Sequence, residues 1–285
     1  MKDRRPAAPS SSRSLNNIYP SKRFGQHFLK DRNIISKIIR LFDPQPHETV
    51  VEIGPGTGAL TRELFERAGR VVAIEFDKKL VPHLLDEFGA QDNFKLVEAD
   101  ALEAEICTEI MPANTARVVA NLPYNISKAI LQRLIAQRAC IPEMVLMLQR
   151  EVVERMLAPA GSSERGYLSV LVESYCESEK LFDVAPGAFR PAPKVWSSVV
   201  RLRLHPGLKV DVFDEDVMWK VVSAGFAQKR KTILNNLRNS TGSLGQLVKD
   251  NGGASIVLCK AEVNVQRRAE SLTVNEWARI VNALK

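Results

Sequence analysis

One junction constrains this chain more than any other feature. An apolar β-branched run, residues 49–53, meets an amphipathic run, residues 59–68, through Gly54-Pro55-Gly56-Thr57-Gly58. Three glycines in five residues, between a strand-like and a helix-like segment, predict a tight strand-to-helix turn. Glycine tolerates positive φ and has no Cβ, so a ligand can approach the backbone, and the free N–H groups of the helix start point toward it. A second strand-like run, Val71-Val72-Ala73-Ile74, ends in Glu75, about twenty residues beyond the first glycine, where a carboxylate that accepts both ribose hydroxyls belongs. The pyrophosphate fingerprint requires G-x-G-x-x-G. Here Gly54, Gly56 and Gly58 are spaced G-x-G-x-G, and Glu52 sets a negative charge beside the loop. That suits a nucleoside with no phosphate and a positive sulfonium better than a dinucleotide.

From Thr49 onward, strand-like and helix-like segments alternate. Residues 71–76, 94–99, 116–120 and 144–148 read as strands, and residues 79–88, 127–138 and 151–157 as helices. This predicts an α/β fold with a doubly wound, largely parallel sheet. Ligands in such sheets sit outside the carboxyl ends of the strands, where Gly54, Glu75, Asp100 and Asn121 all fall. Asp100 is suited to accept from an adenine amino group, although Asp at a strand end also serves as a helix cap. Residues 181–184 and the alternating run 198–204 look like a closing antiparallel hairpin. After His205-Pro206-Gly207 the pattern turns helical, which divides the chain into a flexible basic arm (1–20), a catalytic domain (21–205) and a smaller helical domain (206–285).

Charge follows the same division. Residues 1–23 carry a net +5, residues 24–184 a net −6 and residues 185–285 a net +8, within an overall +7. Basic flanks on an acidic core suggest a polyanion held across the mouth of the core. The four cysteines (Cys107, Cys140, Cys176, Cys259) form no C-x-x-C pair and the four histidines show no ligand spacing, so reduced thiols, a cytosolic compartment and no metal site are expected. No apolar run approaches the length of a membrane span. The Ser-, Pro- and Arg-rich start has no h-region and reads as an arm, not a secretory signal.

Asn121-Leu122-Pro123-Tyr124 carries the chemistry. The amino group of a base is a poor nucleophile because its lone pair is delocalised into the ring. An Asn oxygen and a backbone carbonyl at Leu122 or Pro123, both accepting its hydrogens, would draw the nitrogen toward a tetrahedral shape and aim its lone pair. Positioning and electrostatics are then the main contributions, and Tyr124 offers a ring on which a flipped base can stack.

Four stretches together resemble the ribosomal RNA adenine dimethyltransferases: residues 22–29 (KRFGQHFL), the Gly54 loop, residues 121–127 (NLPYNIS) and residues 189–195 (FRPAPKV). The likeness spans about residues 20–285, and residues 224–232 (AGFAQKRKT) resemble the bacterial small-subunit branch. It implies a Rossmann-like class I methyltransferase sheet, S-adenosylmethionine as donor, and N6-dimethylation of two adjacent adenines near the 3′ end of small-subunit ribosomal RNA. By matching motif, Gln26, His27, Leu29, Gly54, Gly56, Glu75, Asp100 and Asn121 would contact or border the cofactor. Tyr124 and Phe189 would sandwich the target adenine, and Lys22, Arg23, Lys229, Arg230 and Lys231 would hold RNA. His27 stands where many relatives have Asn, and it can still donate a hydrogen bond. The resemblance further implies a cytoplasmic monomer acting on the small ribosomal subunit. Two alternatives share many of these features: an antibiotic-resistance methylase of large-subunit RNA, and a non-catalytic ribosome-assembly factor.

Overall fold

The structure, a computed structural model, describes residues 26–285; the arm at 1–20 and the candidate RNA contacts Lys22 and Arg23 lie outside the described residues. A short strand, β1 (Phe28–Leu29), leads into α1 (Arg32–Phe42), a helix not anticipated from the sequence pattern. Asp31 caps it, its carboxylate accepting from the Asn33 and Ile34 N–H groups at 2.9 and 3.3 Å. Its inward face is Ile35, Ile38, Ile39 and Phe42, all buried. A cap contributes about 1 kcal/mol and each buried large side chain about 1.5–3. Packing therefore holds α1, and Asp31 sets where it begins.

Five strands run parallel: β2 (Thr49–Ile53), β3 (Arg70–Glu75), β4 (Phe94–Glu98), β5 (Arg117–Asn121) and β6 (Glu143–Gln149). Between them lie α2 (Ala59–Phe65), α3 (Val81–Phe88), α4 (Ile106–Glu109) and α5 (Ser127–Ala136). All the expected strands and helices of this region are present, shifted by one or two residues at their ends. Next come α6 (Arg150–Met156), α7 (Tyr167–Tyr175), β7 (Cys176–Val184), β8 (Phe189–Arg190) and β9 (Ser197–Leu204). The sheet order is β4-β3-β2-β5-β6-β9-β7, and β9 is antiparallel to both β6 and β7. The closing antiparallel pair is as expected, but β7 begins five residues earlier than the apolar segment suggested. After the buried Cys176, its residues 177–180 (ESEK) are the exposed part of an edge strand, where charges discourage edge-to-edge pairing and hide the strand from an apolar reading.

Alternation along the central strands sends side chains into two cores. Val50, Val71, Val119 and Val145 face α1, while Val51, Val72, Val118 and Leu146 face α5. Burial on both faces explains why these strands read as unbroken apolar runs. Separately, β1 pairs antiparallel with β8, Leu29 opposite Phe189, which brings together two motifs from far ends of the domain. Cys107 and Cys140 form a disulfide with Cα atoms 5.6 Å apart. This corrects the expectation of reduced thiols at that pair. Thirty-three residues separate the two in sequence, so the topology brings them together and no local spacing could reveal it. Among the described residues, no helix is long and apolar enough to cross a membrane.

Five helices follow: α8 (Glu215–Gly225), α9 (Ile233–Arg238), α10 (Gly242–Asp250), α11 (Ala254–Lys260) and α12 (Val274–Asn282). They close around Trp277, which is fully buried with Met218, Val221, Ile233 and Val281. The preceding helix α7 serves both bodies: Tyr175 packs in the sheet core and Val170 in the helical one. Residues 168–172 are buried all round, which leaves no amphipathic period to read. Trp219 Nε1 donates to the Tyr175 hydroxyl at 3.0 Å and Arg138 pairs with Glu215 at 3.1 Å across the same seam.

Gly225 has no room for a side chain, because a Cβ there would lie 2.4 Å from the Trp277 ring. Gly225→Ala gains about 1 kcal/mol in helix propensity against about 1–3 or more from overpacking. The expected net result is a lower urea midpoint for the helical unit, with cofactor affinity unchanged.

Candidate active site

The register of the parallel strands sets three residues at one level. Ile53 pairs with Ile74 and with Ala120, so Gly54, Glu75 and Asn121, each the next residue, emerge together at the carboxyl ends. They line a cavity of about 260 Å³, joined by Gln26, His27, Gly56, Phe76, Asp77, Asp100, Leu122, Pro123 and Ile126. The turn that forms its floor runs at positive φ, +67° at Gly54 and +60° at Gly56. A Cβ on Gly56 would lie 3.0 Å from the Phe28 ring, so this position serves conformation and close packing together. The helix start does not face the cavity as expected. Thr57, Ala59 and Leu60 instead line a smaller recess alongside it, with Leu29 and Glu52.

Glu75 is buried, and its two oxygens accept from the Gly56 N–H at 3.2 Å and the Asp77 N–H at 2.8 Å. Burial pushes its pKa above the ordinary glutamate range, while these backbone donors oppose the shift. A carboxylate has about four acceptor positions. The backbone of Gly56, Asp77 and Phe76 all bonds to it, which leaves part of that capacity for a ligand. Asp77 in turn accepts from Gln26 Nε2 at 3.0 Å, which ties the segment before β1 to the end of β3. Asp100 accepts from the Leu102 N–H at 2.9 Å, a local turn that leaves its second oxygen on the cavity rim. Phe76, Asp77 and Ile126 were not singled out in the sequence. The available signal was their place directly after a strand-end acid or the Asn121 motif.

Asn121 Nδ2 donates to the backbone carbonyl of His27 at 2.9 Å. The amide is thereby oriented with Oδ1 as the atom left for the cavity. The Pro123 carbonyl already accepts from the Ile126 N–H at 3.3 Å, so Leu122 carries the freer of the two candidate carbonyls. His27 Nδ1 donates to the Pro191 carbonyl at 2.8 Å, and its ring stacks on Tyr124 with centroids 5.4 Å apart and planes at 29°. The Tyr124 hydroxyl shares a 2.5 Å hydrogen bond with Ser197 Oγ, and burial raises its pKa.

Two of the residues carried over by motif lie outside the cavity. Phe189 is 2 % exposed, packed in the core beside Leu29 and outside the cavity, because the β1–β8 pairing turns it inward. In this arrangement it offers no face to an acceptor ring, and the ring stacked against Tyr124 is His27. Leu29 is likewise a core residue that reaches the recess only. Lys229, Arg230 and Lys231 are all exposed in the connection between α8 and α9, where Asn236 Nδ2 donates to the Gln228 carbonyl at 3.3 Å.

Glu52 also departs from the fixed negative charge read from the sequence. It is 1 % exposed, and Thr61 Oγ1 donates to it at 2.6 Å. Burial foremost pushes its pKa from 4.5 up to about 7, with the charge of Glu75 adding to the shift. A folded-state pKa above the unfolded one means that the folded protein holds a proton the unfolded chain has released. Stability from this group is present below about pH 4.5 and lost as pH rises toward 7. Glu52→Gln keeps an acceptor for Thr61 and removes the titration. At pH 8 it is expected to stabilise the ligand-free protein by about 3 kcal/mol, with little difference at pH 4.5, as measured by urea unfolding at the two pH values.

The family model for ribosomal RNA adenine dimethylase matches residues 19–285. The chain is 40 % identical over 261 residues to ribosomal RNA small subunit methyltransferase A of Hahella chejuensis, covering 92 % of this chain and 91 % of that one. It is 41 % identical over 269 residues to the protein of the same description from Geobacillus kaustophilus, at 92 % and 90 % coverage. Among solved structures, a dimethyladenosine transferase from Plasmodium falciparum superposes with a TM-score of 0.71 at 27 % identity, covering 89 % of this chain and 96 % of that one. The 23S rRNA methyltransferase ErmE superposes at 0.64 with 26 % identity, over 90 % and 99 %. With a glycine-turn cavity, a buried carboxylate and an oriented amide at equivalent strand ends, the chain belongs to the ribosomal RNA adenine dimethylase family.

Proposed function

We propose that this protein transfers methyl groups from S-adenosylmethionine to N6 of two adjacent adenines near the 3′ end of small-subunit ribosomal RNA. The observation that carries the reading is the Asn121 amide, held by the His27 carbonyl so that Oδ1 is left for an acceptor amine. A pure RNA binder has no use for that orientation. The large-subunit alternative is weakened by the curated relatives, described as small-subunit methyltransferases over most of their length, and by the net +8 of residues 185–285.

The cavity fits the cofactor in charge and shape. Glu75 would hold the ribose hydroxyls, Asp100 the adenine amino group, and the Gly54–Gly56 backbone would lie against the amino-acid portion; bound there, the cofactor supplies an electrophilic methyl group. Asn121 Oδ1 and the Leu122 carbonyl would accept the two N6 hydrogens of the target base, shaping the nitrogen and directing its lone pair into the cavity. No strong base is required, because the nitrogen loses its proton only after becoming cationic. Tyr124 would support the flipped base on one face. We further propose that residues 21–205 form the catalytic domain and 206–285 the ribosome-facing one, acting as a monomer in the cytoplasm.

Tritiated methyl transfer to undermethylated small subunits, large subunits and naked RNA tests the reading; label confined to large subunits would overturn it. Asn121→Ala should abolish transfer while cofactor affinity, by calorimetric titration, stays within about tenfold. Reversing Lys229, Arg230 and Lys231 to Glu should leave cofactor affinity intact. Subunit binding measured across a salt series should weaken, with the slope flattening by about 0.7–0.9 log units for each phosphate no longer neutralised.

A further inference from the structure

The loop between β8 and β9, which is bonded to His27 and Tyr124, carries an aromatic ring that the roles above do not use. Trp196 is 45 % exposed and its neighbour Val195 44 %. The other two tryptophans are built inward: Trp277 is fully buried, and Trp219 donates its ring N–H to Tyr175. Trp196 is held in place from the start of α6, since the Arg150 N–H donates to its carbonyl at 2.9 Å and the Arg150 guanidinium lies over its ring, 5.8 Å from the centroid.

The loop bearing Trp196 is anchored to the active site at both ends. At Pro191 its carbonyl accepts from His27, the residue whose own carbonyl orients Asn121. At Ser197 its hydroxyl meets Tyr124, the aromatic of the acceptor motif. Between these anchors the chain exposes Lys194, Val195 and Trp196, with Arg190 and Arg150 exposed alongside. Glu154 is an acid close to this patch, 3.5 Å from Arg150, and that pair is itself exposed and so worth little. A half-exposed indole with the Arg150 guanidinium over its ring and the exposed Lys194 two residues before it, on a loop bonded at both ends to residues of the site, matches the surface that single-stranded nucleic acid selects: a π-face for a base and positive charge for its phosphates.

We propose that Trp196 is a stacking platform for a nucleotide flanking the target adenine, with Arg150 and Lys194 contacting its backbone phosphates. The proposal rests on the reading of RNA adenine methylation and deepens it by naming how the neighbouring base is held. Trp196 is a positioning residue: it fixes the strand while Asn121 meets the reacting nitrogen. An apolar protein partner would use the same indole differently, without need of the cations, so RNA is the occupant argued here.

The test uses the full chain as wild type, Trp196→Ala and Trp196→Phe, with a single-stranded oligoribonucleotide containing two adjacent adenines as probe. RNA should quench tryptophan emission in the wild type, and that quench should disappear in Trp196→Ala, in which Trp219 and Trp277 remain. In methyl transfer, KM for RNA should rise about 5- to 100-fold in Trp196→Ala with kcat within about twofold, and Trp196→Phe should recover most of the loss. Unchanged cofactor affinity in both variants reports an intact fold. An unaltered quench and KM in Trp196→Ala would overturn the proposal. So would a KM effect on whole subunits that is absent on the oligonucleotide, which would assign the indole to a ribosomal protein. If the wild type methylates no ribosomal RNA, the activity assignment fails instead, and the quench still decides the platform.

Discussion

The active site depends on one constraint, the register in which β2 pairs with β3 and β5. Ile53, Ile74 and Ala120 are bonded side by side, and the Gly54 N–H continues the ladder to the Ile74 carbonyl at 2.9 Å. Gly54, Glu75 and Asn121 leave the sheet one step beyond that row. Because side chains alternate with period two, a slip of one residue in any of these strands would turn its site residue to the opposite face. The same slip would exchange the side chains that now pack in the two cores. Catalytic geometry and core burial are therefore enforced by the same pairing.

Electrostatics gives the cavity a preference in the sign of its ligand. Glu52 and Glu75 are both buried close to the glycine turn, and each carboxyl has its pKa raised chiefly by desolvation. Glu75 also raises Glu52 through its charge. A cationic ligand would favour ionisation of both groups, whereas a pyrophosphate would add a third negative charge to a poorly solvated site. The backbone donors at Gly56 and Asp77 would otherwise suit a phosphate, but Glu75 already occupies them. The G-x-G-x-G spacing and the buried acids thus disfavour a dinucleotide for the same physical reason.

The parts of the fold legible in the sequence were those with a repeating signal. The β-branched strands, the glycine turn and the strand-end acids all follow from local pattern, and the structure brings Gly54, Glu75, Asp100 and Asn121 to one cavity. What escaped were features without a period or with distant partners. Helix α7 is buried all round at residues 168–172, the first half of β7 is charged at a sheet edge, and the Cys107–Cys140 bond joins residues that only the fold makes neighbours. Phe189 shows the other kind of failure. Motif position placed it at the acceptor ring, but its pairing opposite Leu29 turns it into the core, and no property of the residue itself signals which face of a two-residue strand it takes.

The orientation of Asn121 shows how strongly distant segments are joined at this site. Its amide is held by a carbonyl 94 positions away, at His27, and the His27 ring is held in turn by a carbonyl 164 positions along the chain. Turning the amide by half a revolution would set Oδ1 against the His27 carbonyl, breaking one hydrogen bond and opposing two acceptors. For a partly buried group that costs about 1–3 kcal/mol, a bias of roughly 5- to 150-fold toward the orientation that leaves Oδ1 to the cavity. The strand that carries Asn121 does not supply this bias. It comes from residues 26–29, which reach the site because β1 pairs with β8 and Gln26 bonds to Asp77. The motif before β1 and the motif after β8 therefore meet at one amide, which gives a physical reason for their occurring together in a chain whose cavity is otherwise built from strand ends.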